Sequence, residues 1–123
     1  MSSPPSLSKI STGRQAEEAV TAWLEQRGYA IVGRNVRVGR LELDVVARRG
    51  RTFVVCEVRS RRGTFVDPAY AFDPRKRDRV RRAALTYWAM HGRGAQLRLD
   101  AAAVSFDEAG VPRIDYFENV FCE

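Results

Sequence analysis

Two short apolar segments, residues 41–48 and 51–60, constrain the fold more than any other part of the sequence. Each is typical of a β-strand, and Arg49-Gly50 between them is typical of a tight turn, so the two are predicted to form an antiparallel hairpin. Each also carries acidic residues inside its apolar run: Glu42, Asp44 and Glu57. Carboxylates in an apolar strand need partners, so this hairpin is the first candidate for a functional site.

The turn decides whether these carboxylates meet, because alternate residues of a strand point to the same face of a sheet. A two-residue loop at Arg49-Gly50 is expected to pair Glu42 with Glu57. The same register pairs Asp44 with Val55, so that Asp44 and Glu57 become diagonal neighbours with backbones about 7–8 Å apart. A three-residue loop would instead separate them onto opposite faces. The other face of the first strand is predicted to hold Leu41, Leu43, Val45 and Ala47.

Converging carboxylates repel one another and are stable together only with a cation, a shared proton or a basic partner. Oxygen ligands of this kind suit Mg²⁺ or Mn²⁺, and a water bound to such an ion can attack a phosphodiester. Asp44 and Glu57 are therefore a candidate metal pair, the alternative being two strand-end salt bridges to nearby arginines. Arg59 shares a face with Glu57, where it either contacts phosphate or orients that carboxylate.

The first helix is predicted over residues 12–27, where apolar residues recur with helical spacing and Gly28 follows as a stop. Glu17 lies about 80° from the centre of the apolar stripe and can reach the sheet, whereas Glu18 points directly away. Glu17 is thus either a further ligand at the acidic site or an ordinary surface acid.

The second helix is predicted to begin at Pro74, with Asp73 as its N-cap. Lys76 and Arg77 continue its apolar stripe and should lean toward the sheet. Because basic residues in the first turn of a helix oppose its dipole, phosphate is an obvious candidate for what favours them. Arg61 and Arg62, directly after the hairpin, are further candidates for contacts with a nucleic-acid backbone.

The charge balance agrees with a polyanionic partner, since the 123-residue chain carries a formal net charge of +6 and has a pI of about 10.0. Two cysteines, Cys56 and Cys122, form no CxxC motif, which argues against a zinc site or a disulfide framework. No apolar run has membrane-spanning length and no secretory signal is recognisable, so a cytoplasmic protein is expected. Residues 1–11 are expected to be a disordered arm and residues 12–123 a single domain.

The predicted order of elements is αβββαββ, with late strands at residues 95–106 and 113–118. A helix that joins the three-stranded segment to a later strand allows a mixed sheet with helices packed on it. The sequence therefore predicts an α/β fold.

Several short motifs in this order and spacing identify a family likeness: Gly13-Arg14-Gln15-Ala16-Glu17, Gly28-Tyr29, Arg34-Asn35-Val36-Arg37, Glu42-Leu43-Asp44, Glu57-Val58-Arg59, Pro74-Arg75-Lys76 and Arg98-Leu99-Asp100. The chain resembles the small uncharacterised YraN-like bacterial proteins, which are relatives of archaeal Holliday junction resolvases within the PD-(D/E)XK nuclease superfamily. The likeness runs from about Gly13 to Phe106.

This resemblance implies a restriction-endonuclease-like core, a mixed sheet in αβββαββ order with flanking helices. It implies that Asp44 and Glu57 match the metal-binding acids, Glu17 the helix acid of the resolvase-like branch, and Arg59 the catalytic lysine. A Mg²⁺- or Mn²⁺-dependent endonuclease acting on DNA, and a homodimer, are what the relatives suggest.

Two positions depart from the family pattern. Arg59 stands where the family usually has lysine, and arginine keeps the positive charge but cannot give up its proton, so a general-base role is lost there. Leu41 stands where the family tends to have glycine. The alternatives to a nuclease are therefore a catalytically inactive nucleic-acid-binding module and a protein-interaction adaptor.

Overall fold

The chain folds into an α/β structure in the predicted αβββαββ order. The computed structural model describes residues 5–61 and 74–120. Its elements are α1 (Pro5–Gln26), β1 (Ala30–Val38), β2 (Leu41–Arg49), β3 (Thr52–Arg61), α2 (Pro74–His91), β4 (Gln96–Phe106) and β5 (Pro112–Phe117).

The five strands form one mixed sheet in the order β1-β2-β3-β4-β5. All neighbouring pairs are antiparallel except β3 and β4, which run parallel and are joined by the connection that contains α2. A parallel pair needs a long crossover of this kind, since a tight turn cannot return the chain to the same end of the sheet. This arrangement is consistent with the restriction-endonuclease-like core that the family resemblance implies.

Helices cover both faces of the sheet, and the central strand β3 supplies side chains to both layers. Phe53 and Val55 pack on the face covered by α2, whereas Val54 and Cys56 pack on the face covered by α1. The helices contribute these buried residues to the two clusters: Val80, Ala83 and Ala84 from α2, and Ala16, Val20 and Leu24 from α1. Cys56 is a fully buried core residue of the central strand.

Helix α1 begins earlier than the sequence pattern predicted. It starts at Pro5, whereas the sequence pattern predicted a start at Thr12. Proline has the backbone angle of a helix and lacks the N–H that the first turn cannot satisfy, which makes it a good first residue. The other end is as predicted, since Gly28 follows α1 with a φ of 88°.

The β2–β3 hairpin turns one residue later than predicted. Arg49 pairs with Thr52 and Arg48 with Phe53, so the two-residue loop is Gly50-Arg51. Gly50 has a φ of 58° at the first central position of the turn, which is the glycine position of a type II′ hairpin. The predicted pairing of Glu42 with Glu57, and of Asp44 with Val55, is therefore wrong. The shift moves each partner by two residues, however, and two is also the period of a strand, so the shift by itself moves no side chain to the other face.

Candidate functional site: a buried acidic pair at the end of the hairpin ladder

The candidate site forms where the pairing between β2 and β3 stops. The ladder runs from Arg49 and Thr52 to Val45 and Cys56 and includes no pair beyond them. One residue further, the Asp44 carboxylate accepts a hydrogen bond of 2.8 Å from the backbone N–H of Val58. The Glu57 carboxylate in turn takes a hydrogen bond from the backbone of Asp44. Backbone-to-carboxylate bonds thus replace the ladder and hold both acids at its end.

Strand β2 also changes face at this point. Leu43 packs in the cluster under α2, while Val45 packs in the cluster under α1, so the strict alternation predicted for Leu41, Leu43, Val45 and Ala47 is wrong. The neighbouring strand β1 is irregular at the same level, since Asn35 has a φ of 51°. Asparagine tolerates this left-handed conformation better than most residues. Asn35 lies between Arg34 and Val36, the partners of Val45 and Leu43, so both strands are irregular next to Asp44.

The two acids line one cavity of about 310 Å³, so they converge as the sequence predicted. Its lining residues come from the ends of β2 and β3 and from the first turn of α2: Leu41, Glu42, Asp44, Glu57, Val58, Arg59 and Lys76. Two carboxylates and two cationic side chains therefore share the same small space with the exposed Glu42. The sequence placed Asp44, Glu57 and Arg59 on a common face, and the structure adds Lys76 from the helix.

Burial determines the protonation of this pair. Burial, and after it the charge of the neighbouring Asp44, raise the pKa of Glu57 to about 8, although Lys76 and Arg59 oppose the shift. Burial likewise raises the pKa of Asp44 to about 6, although the N–H of Val58 opposes the shift. The pair titrates as one unit, and near pH 7 it binds about one proton when no cation is present.

The surroundings of one Glu57 oxygen indicate whether the site suits a metal ion. Atom Oε2 of Glu57 is buried and has no hydrogen-bond partner, the one such side-chain atom among residues 13–60 and 75–120, whose side chains the structure describes. A buried carboxylate oxygen without a donor is costly, and a hard divalent cation is a ligand that would satisfy it. No set of three or more His, Cys, Asp or Glu side chains forms a metal-ligand cluster among the described residues. Two carboxylates are nevertheless the usual protein share of a Mg²⁺ site completed by water and phosphate, so the residues fit.

Glu17 lies close enough to this pair to influence it. The residue is half-buried on α1 while Glu18 is exposed, as the helical periodicity predicted. The Glu17 charge contributes to the raised pKa of Asp44, after burial. Glu17 does not line the cavity itself, so it acts on the acidic pair from the α1 side of the sheet.

Comparison with a protein-family model shows which family the chain belongs to. Residues 16–104 match the model of Uncharacterised protein family UPF0102. The chain belongs to the UPF0102 family. This confirms the resemblance to YraN-like proteins. The matched range includes Glu17, Asp44, Glu57 and Lys76, so the whole candidate site lies inside the part that the family shares.

Curated relatives support the assignment over nearly the full chain. A UPF0102 protein of Sorangium cellulosum is 42% identical and covers 96% of this chain and 85% of its own length. A UPF0102 protein of Anaeromyxobacter dehalogenans is 43% identical, over 89% of this chain and 82% of its own. A third, from Streptomyces coelicolor, is 38% identical over 88% and 86%.

Among the residues predicted to bind nucleic acid in this UPF0102 protein, Lys76 lines the cavity, and the others are not among its described lining residues. Arg77 does turn toward the body of the protein, but its Nη2 donates a 3.0 Å hydrogen bond to the carbonyl of Val120, and it does not line the cavity. Arg61 ends β3, with a side chain outside the described set, and Arg62 lies outside the described residues. Of these candidates, Lys76 alone is placed at the acidic pair by the described structure.

Sequence reasoning missed the role of Val58, whose backbone N–H orients Asp44. A main-chain donor leaves no signal in side-chain chemistry, and only the end of the ladder makes it available.

None of the helices in the described residues is both long and apolar enough to cross a membrane.

Proposed function

We propose that this UPF0102 protein is a divalent-metal-dependent nuclease that acts on DNA. The observation that carries the proposal is the buried, unpartnered Oε2 of Glu57 beside Asp44, in a cavity that also contains two cationic side chains. The resemblance to resolvase-like members of the PD-(D/E)XK superfamily supports the same reading. Mg²⁺ or Mn²⁺ would be held by Asp44 and Glu57.

A bound divalent ion would supply an activated water and neutralise charge as the phosphodiester is cleaved. The protein's own residues have the following parts in this proposal. The N–H of Val58 fixes one oxygen of Asp44, so that this carboxylate is oriented before any ligand arrives. Asp44 and Glu57 would give up the proton that they share near neutral pH when they hold an ion, so both carboxylates would then be ionised. Glu17 adds negative potential behind Asp44 and so favours a cation there.

The two cations of the cavity have different parts. Arg59, in the position of the family's lysine, offers a permanent positive charge for the scissile phosphate and cannot exchange its proton. Lys76 is one of two lysines among the 21 basic residues of the chain, the other being Lys9. An ammonium group can both bind phosphate and release a proton from Nζ. We therefore assign to Lys76 the proton exchange that Arg59 cannot perform.

The test is cleavage of duplex, single-stranded and four-way branched DNA by the purified full chain with Mg²⁺ or Mn²⁺. Cleavage should disappear with EDTA, with Asp44→Asn and with Glu57→Gln. Glu18→Gln, an exposed acid next to Glu17 on the same helix, is the matched control and should retain full activity. Cleavage that persists in Glu57→Ala would refute the assignment of the activity to this site.

A second pair of variants tests the division of roles between the cations. Lys76→Arg should retain DNA binding but lose most of the cleavage rate, since the charge remains and the exchangeable proton does not. Lys76→Gln should weaken DNA binding and also lower the cleavage rate. If Lys76→Arg cleaves as fast as the wild-type chain over the whole pH range, Lys76 serves only as a charge.

A measurement of metal binding tests the site independently of any cleavage activity. Titration of Mn²⁺ followed by electron paramagnetic resonance should show a bound ion in the wild-type chain and loss of that ion in Glu57→Gln. A Mn²⁺ signal that is unchanged in the variant would place the ion elsewhere.

The second candidate function is a nucleic-acid-binding module without catalysis, which Arg59 in the lysine position favours. It predicts DNA binding that is sensitive to salt, needs no metal and is accompanied by no cleavage with either ion. The homodimer that the relatives suggest stays a prediction, and the sedimentation behaviour of the purified chain would test it.

A further inference from the structure

A second depression adjoins the acidic cavity on the α2 side of the sheet. It is a groove of about 700 Å³ between the β1–β2 turn and helix α2, and Leu41 lines both the groove and the cavity. Its floor contains the apolar residues Val38, Leu41 and Ala83. The two spaces therefore adjoin at Leu41, next to the acidic pair.

The walls of this groove are cationic on both sides. Arg40 stands on the β1–β2 turn, and Arg79 and Arg82 stand on the exposed side of α2. Arg82 forms an ion pair with Asp78, which lies one turn before it. Arg40 and Arg79 form no ion pair with any carboxylate of the described residues, and no acidic side chain among those residues lines the groove.

The charge on α2 is unfavourable for the helix itself. Its first three turns contain six basic residues and no acid in the first turn: Arg75, Lys76, Arg77, Arg79, Arg81 and Arg82. Positive charge near a helix N-terminus opposes the dipole, and like charges three or four residues apart repel one another. An anionic ligand along this side of the helix would offset both effects.

We propose that the groove binds the phosphodiester backbone of the DNA strand that continues from the scissile phosphate. The inference rests on the proposed function for the position of the scissile phosphate. No aromatic residue is among the described residues that line the groove, so bases find no stacking platform there. Contacts from Arg40, Arg79 and Arg82 would then go to phosphates, and binding would be independent of sequence.

The experiment measures binding of fluorescein-labelled DNA by anisotropy in EDTA, across salt concentrations from about 50 to 200 mM. It compares the wild-type chain with Arg40→Gln/Arg79→Gln and with a control pair, Arg93→Gln/Arg113→Gln. Both control arginines are exposed, and Arg113 lies on β5 at the opposite edge of the sheet. Circular dichroism confirms that each variant is folded.

The groove variant should bind roughly tenfold more weakly at about 0.1 M salt. Its slope of log K against log salt should be shallower by about 1.8, because each lost phosphate contact removes about 0.9. The control pair should keep the wild-type slope. An unchanged slope in the groove variant, or an equal fall in both pairs, overturns the proposal.

Cleavage assays on the same variants distinguish this inference from the proposed function. Weakened binding in the groove variant, with no metal-dependent cleavage by the wild-type chain, supports the groove and refutes the nuclease. Wild-type cleavage together with unaltered binding in the groove variant supports the nuclease and refutes the groove.

Discussion

Replacing Glu57 by glutamine should make the metal-free protein increasingly stable relative to the wild-type chain as the pH rises. The carboxyl group is buried, has one oxygen without a partner and lies beside Asp44. Its ionised form is therefore disfavoured in the folded chain and unhindered in the unfolded one. Glutamine has nearly the same shape and no charge, so the substitution removes this penalty and leaves the fold in place.

The magnitude follows from the two pKa values. Burial and Asp44 raise the pKa of Glu57 from 4.5 to about 8, so the folded chain binds the proton more tightly than the unfolded chain does. This contribution to stability is complete below about pH 4.5, falls as the pH rises and is lost by about pH 8. At about 1.36 kcal/mol per pH unit, the free energy of unfolding declines by roughly 3 kcal/mol at pH 7 and by at most about 5 kcal/mol above pH 8.

Asp44 adds a smaller loss with the same sign, between its ordinary pKa of 3.8 and a folded value of about 6. The amide of glutamine brings a donor that must find an acceptor, which costs about 1–3 kcal/mol if it fails. The Asp44 carboxylate is the nearest acceptor. If the amide stays unpaired, we therefore expect Glu57→Gln to gain about 2–4 kcal/mol over the wild-type chain at pH 8. At pH 4.5 the same cost should leave the variant less stable than the wild-type chain by about 1–3 kcal/mol.

The assay is urea unfolding of the full chain in EDTA at several pH values from 4.5 to 8.5, with Glu18→Gln as control. A second series adds Mg²⁺ or Mn²⁺. A ligand that binds the folded state alone at 100 times its Kd adds about 2.7 kcal/mol, and this gain should appear in the wild-type chain and vanish in Glu57→Gln. Parallel pH profiles for the wild-type chain and Glu57→Gln would refute the argument, since they would mean that Glu57 ionises without cost.

Three further substitutions test other parts of the structure. Asp100→Asn breaks the buried ion pair with Arg98 and should lower the free energy of unfolding by about 3–5 kcal/mol in urea, unlike a surface acid. Gly92→Ala would place a Cβ 2.2 Å from Cδ1 of Trp88, so the melting temperature should fall by the equivalent of about 1–3 kcal/mol. Arg75→Glu puts an acid in the first turn of α2 and should stabilise the chain by about 0.3–1 kcal/mol while weakening its binding to DNA. An unchanged or lower melting temperature for Arg75→Glu would contradict the dipole argument.

The hairpin shows how a wrong register can still give the right site. The sequence rule that favours glycine as the second residue of a two-residue turn placed the loop at Arg49-Gly50, whereas Gly50 takes the first position. Sliding the loop by one residue moves each cross-strand partner by two, and the period of a strand is also two. The face of Asp44 and Glu57 was therefore predictable even though their partners were not.

Other features could not be read from periodicity. The change of face in β2 lies next to Asn35 of the neighbouring strand, which adopts a positive φ, and nothing in the β2 sequence signals the change. The hydrogen bond from Arg77 to the Val120 carbonyl depends on the position of the segment that follows β5. The early start of α1 at Pro5 was missed because serine and proline around the start favour caps and turns as readily as a first helical turn.

A comparison of two buried carboxylates explains why the acidic pair points to a ligand rather than to stability. Asp100 is fully buried, and both of its oxygens are satisfied, by Arg98, by the hydroxyl of Tyr116 and by the N–H of Asn119. The fold can therefore enclose a carboxylate completely when that carboxylate serves the structure. Glu57, in the neighbouring strand, keeps one oxygen without a donor and faces a cavity with a second acid. An apolar residue there would spare the cost of that oxygen, so the carboxylate at this position supports the proposed divalent-cation site.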